Sequence, residues 1–513
     1  MRILGMALFV LLWWASGTEA ACSGSGTTWS CTAGTTSAQL ATLISSASDG
    51  ATATFTAGSY TWNTGTNFSN ANGVTLICAS VGACTVTAIG MTLGLNGTCT
   101  GTTTKLYRIS GFVFNGGDTL VWYNAYNQGA AGCTMTNIRI DHNTFSNQSA
   151  NSRIFLFGDN NNPSYFYGVV DHNTITNSSS VVLAEFISNS AGTPSAGPAG
   201  SVNNMFFENN TMTITTMTNP GAGCMDSTGS SAVVWRFNTM TNCLLTTHGV
   251  THGGGIINDE IYGNSFLLNA NADVNYQNCD RAFHHQGSGE TLVFNNTFTC
   301  NLAYGNGGIA MTHYRSATPA NAGYTGVQCD GTQGIDGNRT PLATYRGYPC
   351  KRQPGRDVNA LLRPMYVWNN VANGSNLAIM TIGTGLWPPP EYVAEHIQLN
   401  RDIYNAVSIN AQSSSSSPFT GTTGMGFGTF ANRPTTCTTG PEALDAGHGG
   451  VGYWATDQGT WFNGGAGGVL YRCTATNTWT VHYTPYTYPH PLQAGGGGGD
   501  IVPPSAPTNL KVQ

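Results

Sequence analysis

The sequence predicts an all-β fold built by repetition, a parallel β-helix solenoid. Three observations lead there. A short motif recurs down the middle of the chain. The 513 residues exceed what one ordinary globular core holds, and charged residues make up only 8%, against about 25% in typical domains. A solenoid lengthens without thickening its core, so length is no obstacle to it. The 40% hydrophobic and 10% aromatic content supplies a core and argues against a disordered chain.

The motif is clearest in Arg139-Ile140-Asp141-His142-Asn143-Thr144-Phe145, in Val169-Val170-Asp171-His172-Asn173-Thr174-Ile175 and in Phe206-Phe207-Glu208-Asn209-Asn210-Thr211-Met212. It continues at Val234–Met240, Glu260–Phe266, Leu292–Phe298 and Tyr366–Val371, with an Asn-less copy at Arg108–Phe114. The anchoring asparagines are Asn143, Asn173, Asn210, Asn238, Asn264, Asn296 and Asn370, spaced by 30, 37, 28, 26, 32 and 74 residues. Such intervals suit one repeat with insertions at its turns. Each repeat would lay a strand on the previous one, about 4.8 Å away. An Asn in the tight turn would then bond its counterparts above and below as a ladder. The apolar residues before the turn and two after the Asn would be core.

These apolar-x-x-Asn-Thr-Phe/Ile repeats resemble right-handed parallel β-helix proteins of the pectate-lyase-like superfamily, over roughly residues 70–410. The resemblance implies the fold. It leaves activity open among lyases, hydrolases, epimerases, phage tailspikes and adhesins.

The elements follow in order. Arg2, the apolar run Ile3–Trp14 and the small residues up to Ala21 read as a signal peptide over residues 1–21. The run is too short for a membrane span. A lipid anchor on Cys22 is disfavoured by Glu19. Residues 22–70 would form an N-terminal cap with a helix at Ser37–Ser46, residues 71–410 the β-helix, and residues 411–434 a linker. Residues 435–490 would form a small C-terminal disulfide-tied β module, followed by a Gly/Pro-rich tail to Gln513. Fourteen cysteines, an even number without any Cys-x-x-Cys, read as disulfides rather than a metal site. Local pairs are expected: Cys22–Cys31, Cys78–Cys84, Cys329–Cys350 and Cys437–Cys473. The net charge of −6 comes without a basic stripe, so nucleic acid is not an expected partner. The expectation is a secreted, extracellular or cell-surface monomer whose partner is a polysaccharide.

Candidate chemistry sits in three places. Strands expected at Arg153–Phe157, Val181–Phe186, Cys224–Thr228, Leu244–Gly249, Arg281–Gln286 and Ile309–Arg315 would form one parallel sheet. By the resemblance, such a face carries the substrate groove. It would present Glu185, Asp226, His248, His284 or His285, His313 and Arg315, with Arg281 and Tyr314 alongside. Five of the eleven histidines lie between His248 and His313. On a uronate polymer, His285 or His313 would act as base, Arg315 or Arg281 would neutralise the carboxylate, and Tyr314 would donate the proton, a lyase- or epimerase-like chemistry. A hydrolase would instead pair Glu185 with Asp226. A non-catalytic adhesin or structural protein would leave all of these as solvated strand ends.

The second place is the insertion Cys329–Arg363. It holds six of the eighteen basic residues, among them Lys351, Arg352 and Arg356 as candidates to hold an anionic polymer. The plainer alternative pairs them with Asp330, Asp336 and Asp357. The third is the position two before each ladder Asn: Ser110, Asp141, Asp171, Glu208, Arg236, Tyr262, Phe294, Trp368. Asp141, Asp171 and Glu208 on neighbouring repeats suggest Ca2+, and the aromatic end suggests a sugar-stacking strip. The favoured reading there is plainer, an exposed turn position tolerant of polar residues.

Overall fold

The computed structural model describes residues 21–63, 66–67, 72–88, 93–94, 101–116, 121–123, 133–147, 153–159, 165–177, 182–188, 199–215, 223–227, 232–247, 256, 258–269, 282–285, 287, 289–301, 308–311, 353–357, 361–373, 379–382, 396–406, 418–440 and 448–494. Over 182–188 and 284–285, among others, the description is of backbone alone.

The chain is mostly β-strand and, among the described residues, forms three long sheets of 13, 10 and 10 strands and a fourth of 4. The long sheets are parallel apart from the opening pair Cys22–Ser25 and Thr28–Cys31. Successive strands visit the three sheets in turn. Tyr165–Asp171 lies in the first, Thr174–Asn177 in the second and Val182–Ser188 in the third, before Met205–Glu208 returns to pair with Tyr165–Asp171. This arrangement is compatible with the predicted parallel β-helix.

The period-two alternation of each strand decides what is buried. Ile140, Val170, Phe207, Trp235, Ile261 and Val293 of the first sheet join Phe145, Ile175, Met212, Met240, Phe266 and Phe298 of the second in one buried cluster. Phe155, Met225, Leu245, Phe283 and Ile309 of the third sheet complete it. Register stacks like on like, as in Phe207 on Trp235 (4.2 Å between ring centroids) and Phe266 on Phe298 (4.8 Å). Burial at about 25 cal/mol per Å² of apolar surface drives this stacking.

The asparagine ladder forms as the repeats predict. Each Asn from Asn143 to Asn296 gives its backbone N–H and side-chain amide to the Oδ1 of the next, at 2.9–3.2 Å, as far as Asn370. All seven are buried. The residue before each Asn takes the left-handed conformation, at φ 50–58° for His142, His172, Asn209, Phe237, Asn295 and Asn369, with Gly263 at 67°. That conformation closes the turn and leaves the Asn side chain on the ladder axis.

The helix Ser37–Ser46 is capped by a reciprocal Thr36–Gln39 box and buries Leu40, Leu43 and Ile44 in the common cluster. Disulfides join Cys22–Cys31, Cys78–Cys84 and Cys437–Cys473, as expected, and also Cys224–Cys243. The Cys22 thiol is thus not free to carry a lipid. Cys329 and Cys350 lie outside the described residues. Disulfides fit an oxidising, extracellular setting. No helix among the described residues is long and apolar enough to cross a membrane.

The fourth sheet orders Met425–Gly428, Gly452–Ala455, Val469–Ala475 and Thr478–Tyr483. Its first strand falls in the stretch read as linker. This module packs on the outer side of the first long sheet. Val234, Tyr262, Leu292, Phe294, Tyr366 and Trp368 form a second buried cluster with Val451, Trp454, Trp461, Leu470, Tyr483 and Tyr488.

Candidate functional site

The outer side of the first sheet carries the position two before each ladder Asn. These residues are buried rather than exposed. Asp141, Asp171, Glu208 and Arg236 are almost wholly inaccessible, because neighbouring repeats and the C-terminal module enclose them. The Arg108 guanidinium grips Asp141 through Nε and Nη2 at 2.7 and 2.6 Å. Arg139 grips Asp171 at 3.1 and 2.9 Å. Arg236 pairs with Glu208, which also accepts from the His490 backbone (3.1 Å) and the Gln493 amide (2.6 Å). Burial opposes ionisation of Asp141, but Arg108, His142 and Arg139 outweigh it and hold the carboxyl below its usual range. At Glu208 burial wins and raises the carboxyl.

Asp141, Asp171 and Glu208, expected as Ca2+ ligands, instead meet the guanidinium groups of Arg108, Arg139 and Arg236. Among the described residues, no group of three His, Cys, Asp or Glu side chains is arranged for a metal ion. The aromatic end is corrected likewise, since Tyr262, Phe294 and Trp368 are covered. Phe294 stacks on Trp368 at 4.3 Å, and Trp454 of the module closes over Trp368 at 5.0 Å. Arg356 is also buried, paired with Asp402 at 3.3 Å, and so is not placed to hold a substrate. Lys351 and Arg352 lie outside the described residues.

The third sheet forms from the expected segments, with described strands at Met225–Ser227, Leu245–Thr247, Phe283–His285 and Gly308–Met311. Its register aligns Glu185 with Asp226, Asp226 with Thr246, Thr246 with His284, and His284 with Ala310. Asp226 and Thr246 are partly exposed. Their strand neighbours Met225, Ser227, Leu245 and Thr247 are buried, so alternation sends Asp226 and Thr246 away from the core. His285 pairs with Met311, at the register height of Ser227 and Thr247, all three buried. His284 thus shares the Asp226 position and His285 does not. His248, Arg281, His313, Tyr314 and Arg315 lie outside the described residues.

One pair of residues escaped the sequence reading. His142 and His172 stack at 5.1 Å with planes 5° apart. Their Nδ1 atoms lie 2.9 and 3.0 Å from Oδ2 of Asp141 and Asp171. The twice-repeated Asp-His-Asn-Thr was the available signal. Left-handed turns displace both rings to the surface, and each carboxylate orients its imidazole.

No family model, no curated protein and no solved structure matches this chain.

Proposed function

We propose that this chain is an extracellular enzyme that cleaves a uronate-containing polysaccharide. In this reading its three long sheets close as a right-handed parallel β-helix of the pectate-lyase-like kind, with residues 22–70 as the N-terminal cap. One observation carries it: the register pairs Glu185 with Asp226 on adjacent strands of the third sheet, two and three strands from His284. Paired parallel strands are about 4.8 Å apart, and retaining glycoside hydrolysis uses carboxyl groups about 5–5.5 Å apart. One carboxyl group serves as acid to the leaving oxygen and the other as nucleophile. The aligned position supports hydrolysis over a histidine-led elimination, for which His284 is the described histidine that shares this register position.

The test is incubation with polygalacturonate, alginate and neutral glucans, reading reducing ends and unsaturated-uronate absorbance together. Reducing ends without that absorbance support hydrolysis. Both signals together would move the chemistry to elimination. Neither signal on any polymer would overturn the enzymatic reading in favour of a binding protein.

A further inference from the structure

The C-terminal module turns one side of its sheet to the first long sheet. Trp454, Leu470 and Tyr483 line that side. The opposite side aligns Tyr453 with Tyr471, Tyr471 with Val481, and Cys473 with Trp479. This second side is partly open. Val481 is 60% exposed, and Phe430, at the lip of the loop above, is 37% exposed.

Arg433 stands among these rings. Its guanidinium carbon lies 4.3 Å from the Phe430 centroid, 4.6 Å from Tyr471 and 5.6 Å from Trp479. Among the described residues no carboxylate pairs with it. Its Nη1 is covered yet has no hydrogen-bond partner. Burial pulls its ionisation below the usual range, with only the weak opposing influence of Tyr471 and Tyr453. An arginine in this position ordinarily has an acceptor, because its five donors fit planar oxyanions. Two polar atoms beside it are already engaged. Trp479 Nε1 donates to Pro434 O at 2.8 Å, and the Tyr453 hydroxyl donates to Thr429 O at 2.8 Å. What remains is a partly open group of apolar rings around one cation whose contacts are with ring faces and not with an oxyanion.

We propose that the platform of Phe430, Arg433, Tyr471 and Trp479 is a second glycan-binding site, taking a uronate residue with its carboxylate on Arg433 and its C–H face on the rings. The choice of occupant rests on charge. With a net charge of −6, the chain repels an acidic polymer as a whole, so capture needs local unpaired cations. The other arginine of the module, Arg472, is committed to His448 O at 2.8 Å. The choice of a uronate over other anions rests on the proposed function. The platform would hold the polymer while another face acts on it.

The experiment is affinity electrophoresis of the full chain through gels containing polygalacturonate, dextran or dextran sulfate. Polygalacturonate should retard the protein and dextran should not. Arg433→Gln should weaken retardation about tenfold, the loss of one charge-assisted contact. Arg433→Lys should fall between, because lysine keeps the charge and loses the fork. Should Arg433→Gln fail to fold by circular dichroism, Phe430→Ala decides, with an expected weakening of about threefold. Unchanged retardation in the deciding variant, equal retardation by dextran, or retardation by dextran sulfate alone would overturn the proposal. Glu185→Gln separates the two ideas. Lost cleavage with intact retardation supports both, whereas a wild-type chain that is retarded but never cleaves keeps the platform and removes the catalytic reading.

Discussion

Two faces of the same molecule carry acids at successive strands, and they have opposite fates. On the first sheet Asp141, Asp171 and Glu208 are sealed beneath arginines and the C-terminal module. On the third sheet Asp226 remains partly exposed, in register with Glu185 and His284. Strand spacing and alternation are the same in both. The difference is what lies across from them. On the first sheet a ladder of carboxylates becomes structure because guanidinium groups and a packed module desolvate it, whereas the proposed function needs Asp226 to keep its partial exposure.

Four measurements break or sharpen this contrast. The largest effect is expected at the third sheet. Asp226→Asn should lower cleavage by about 10²-fold or more, with a melting temperature near that of the wild type. An equally active variant would end the assignment. Next is the first sheet, where Arg236→Met leaves Glu208 buried without its counter-ion and should cost about 3–5 kcal/mol in denaturant unfolding. Replacing both, as Arg236→Met with Glu208→Leu, should recover much of that loss. If the double variant were no better than the single, the pair would not be acting as a unit.

The third measurement uses pH. Glu260 lies under the module, where it accepts from the Tyr483 hydroxyl at 2.5 Å and from the Gly200 N–H at 2.8 Å, and burial pushes it up to about 7. The folded state therefore binds this proton more tightly than the unfolded chain. Its contribution is complete below the ordinary 4.5 and is lost as pH rises to about 7, up to about 3 kcal/mol. His490 acts oppositely: burial, then Arg236 and Arg139, lower it to about 3, so its contribution grows from pH 3 towards its ordinary 6.5. Glu260→Gln should remove only the first slope, so its stability relative to the wild type should climb between pH 4.5 and 7. A constant difference across that range would place the Glu260 proton elsewhere. The smallest effect is in the ladder, where Asn210→Leu strands the Asn173 donors and should cost about 1–3 kcal/mol. A loss under 0.5 kcal/mol would mean that the ladder only decorates the turns.

The ladder was legible because one residue type recurs at one turn and bonds to its own copies there. The helix at Ser37–Ser46 was legible because it is a local element, and its Thr36–Gln39 cap lies in the same short stretch. Cys22–Cys31 and Cys78–Cys84 followed from short separations of 9 and 6 residues and Cys437–Cys473 from lying within one module, while Cys224–Cys243 spans from one repeat to the next and needed the register. The fate of Asp141 was not legible. Its partner Arg108 is 33 residues away, one strand over, and nothing local distinguishes that from an open turn. His284 and His285 are adjacent, and only register told their positions apart.

The sequence by itself determined the strand repeat, the inward stripe and the ladder, because these depend on spacings of two residues along a strand and about thirty between strands. The tertiary structure alone decided that the outer face of the first sheet is covered. That choice turns on residues some 250 positions apart: Arg236 donates to the carbonyls of Tyr486 and Thr487, at 2.6 and 2.8 Å, and so ties the module over the first sheet. No periodicity encodes a contact of that range. It is set by shape and by the need of buried charges and aromatic rings for partners when water is excluded.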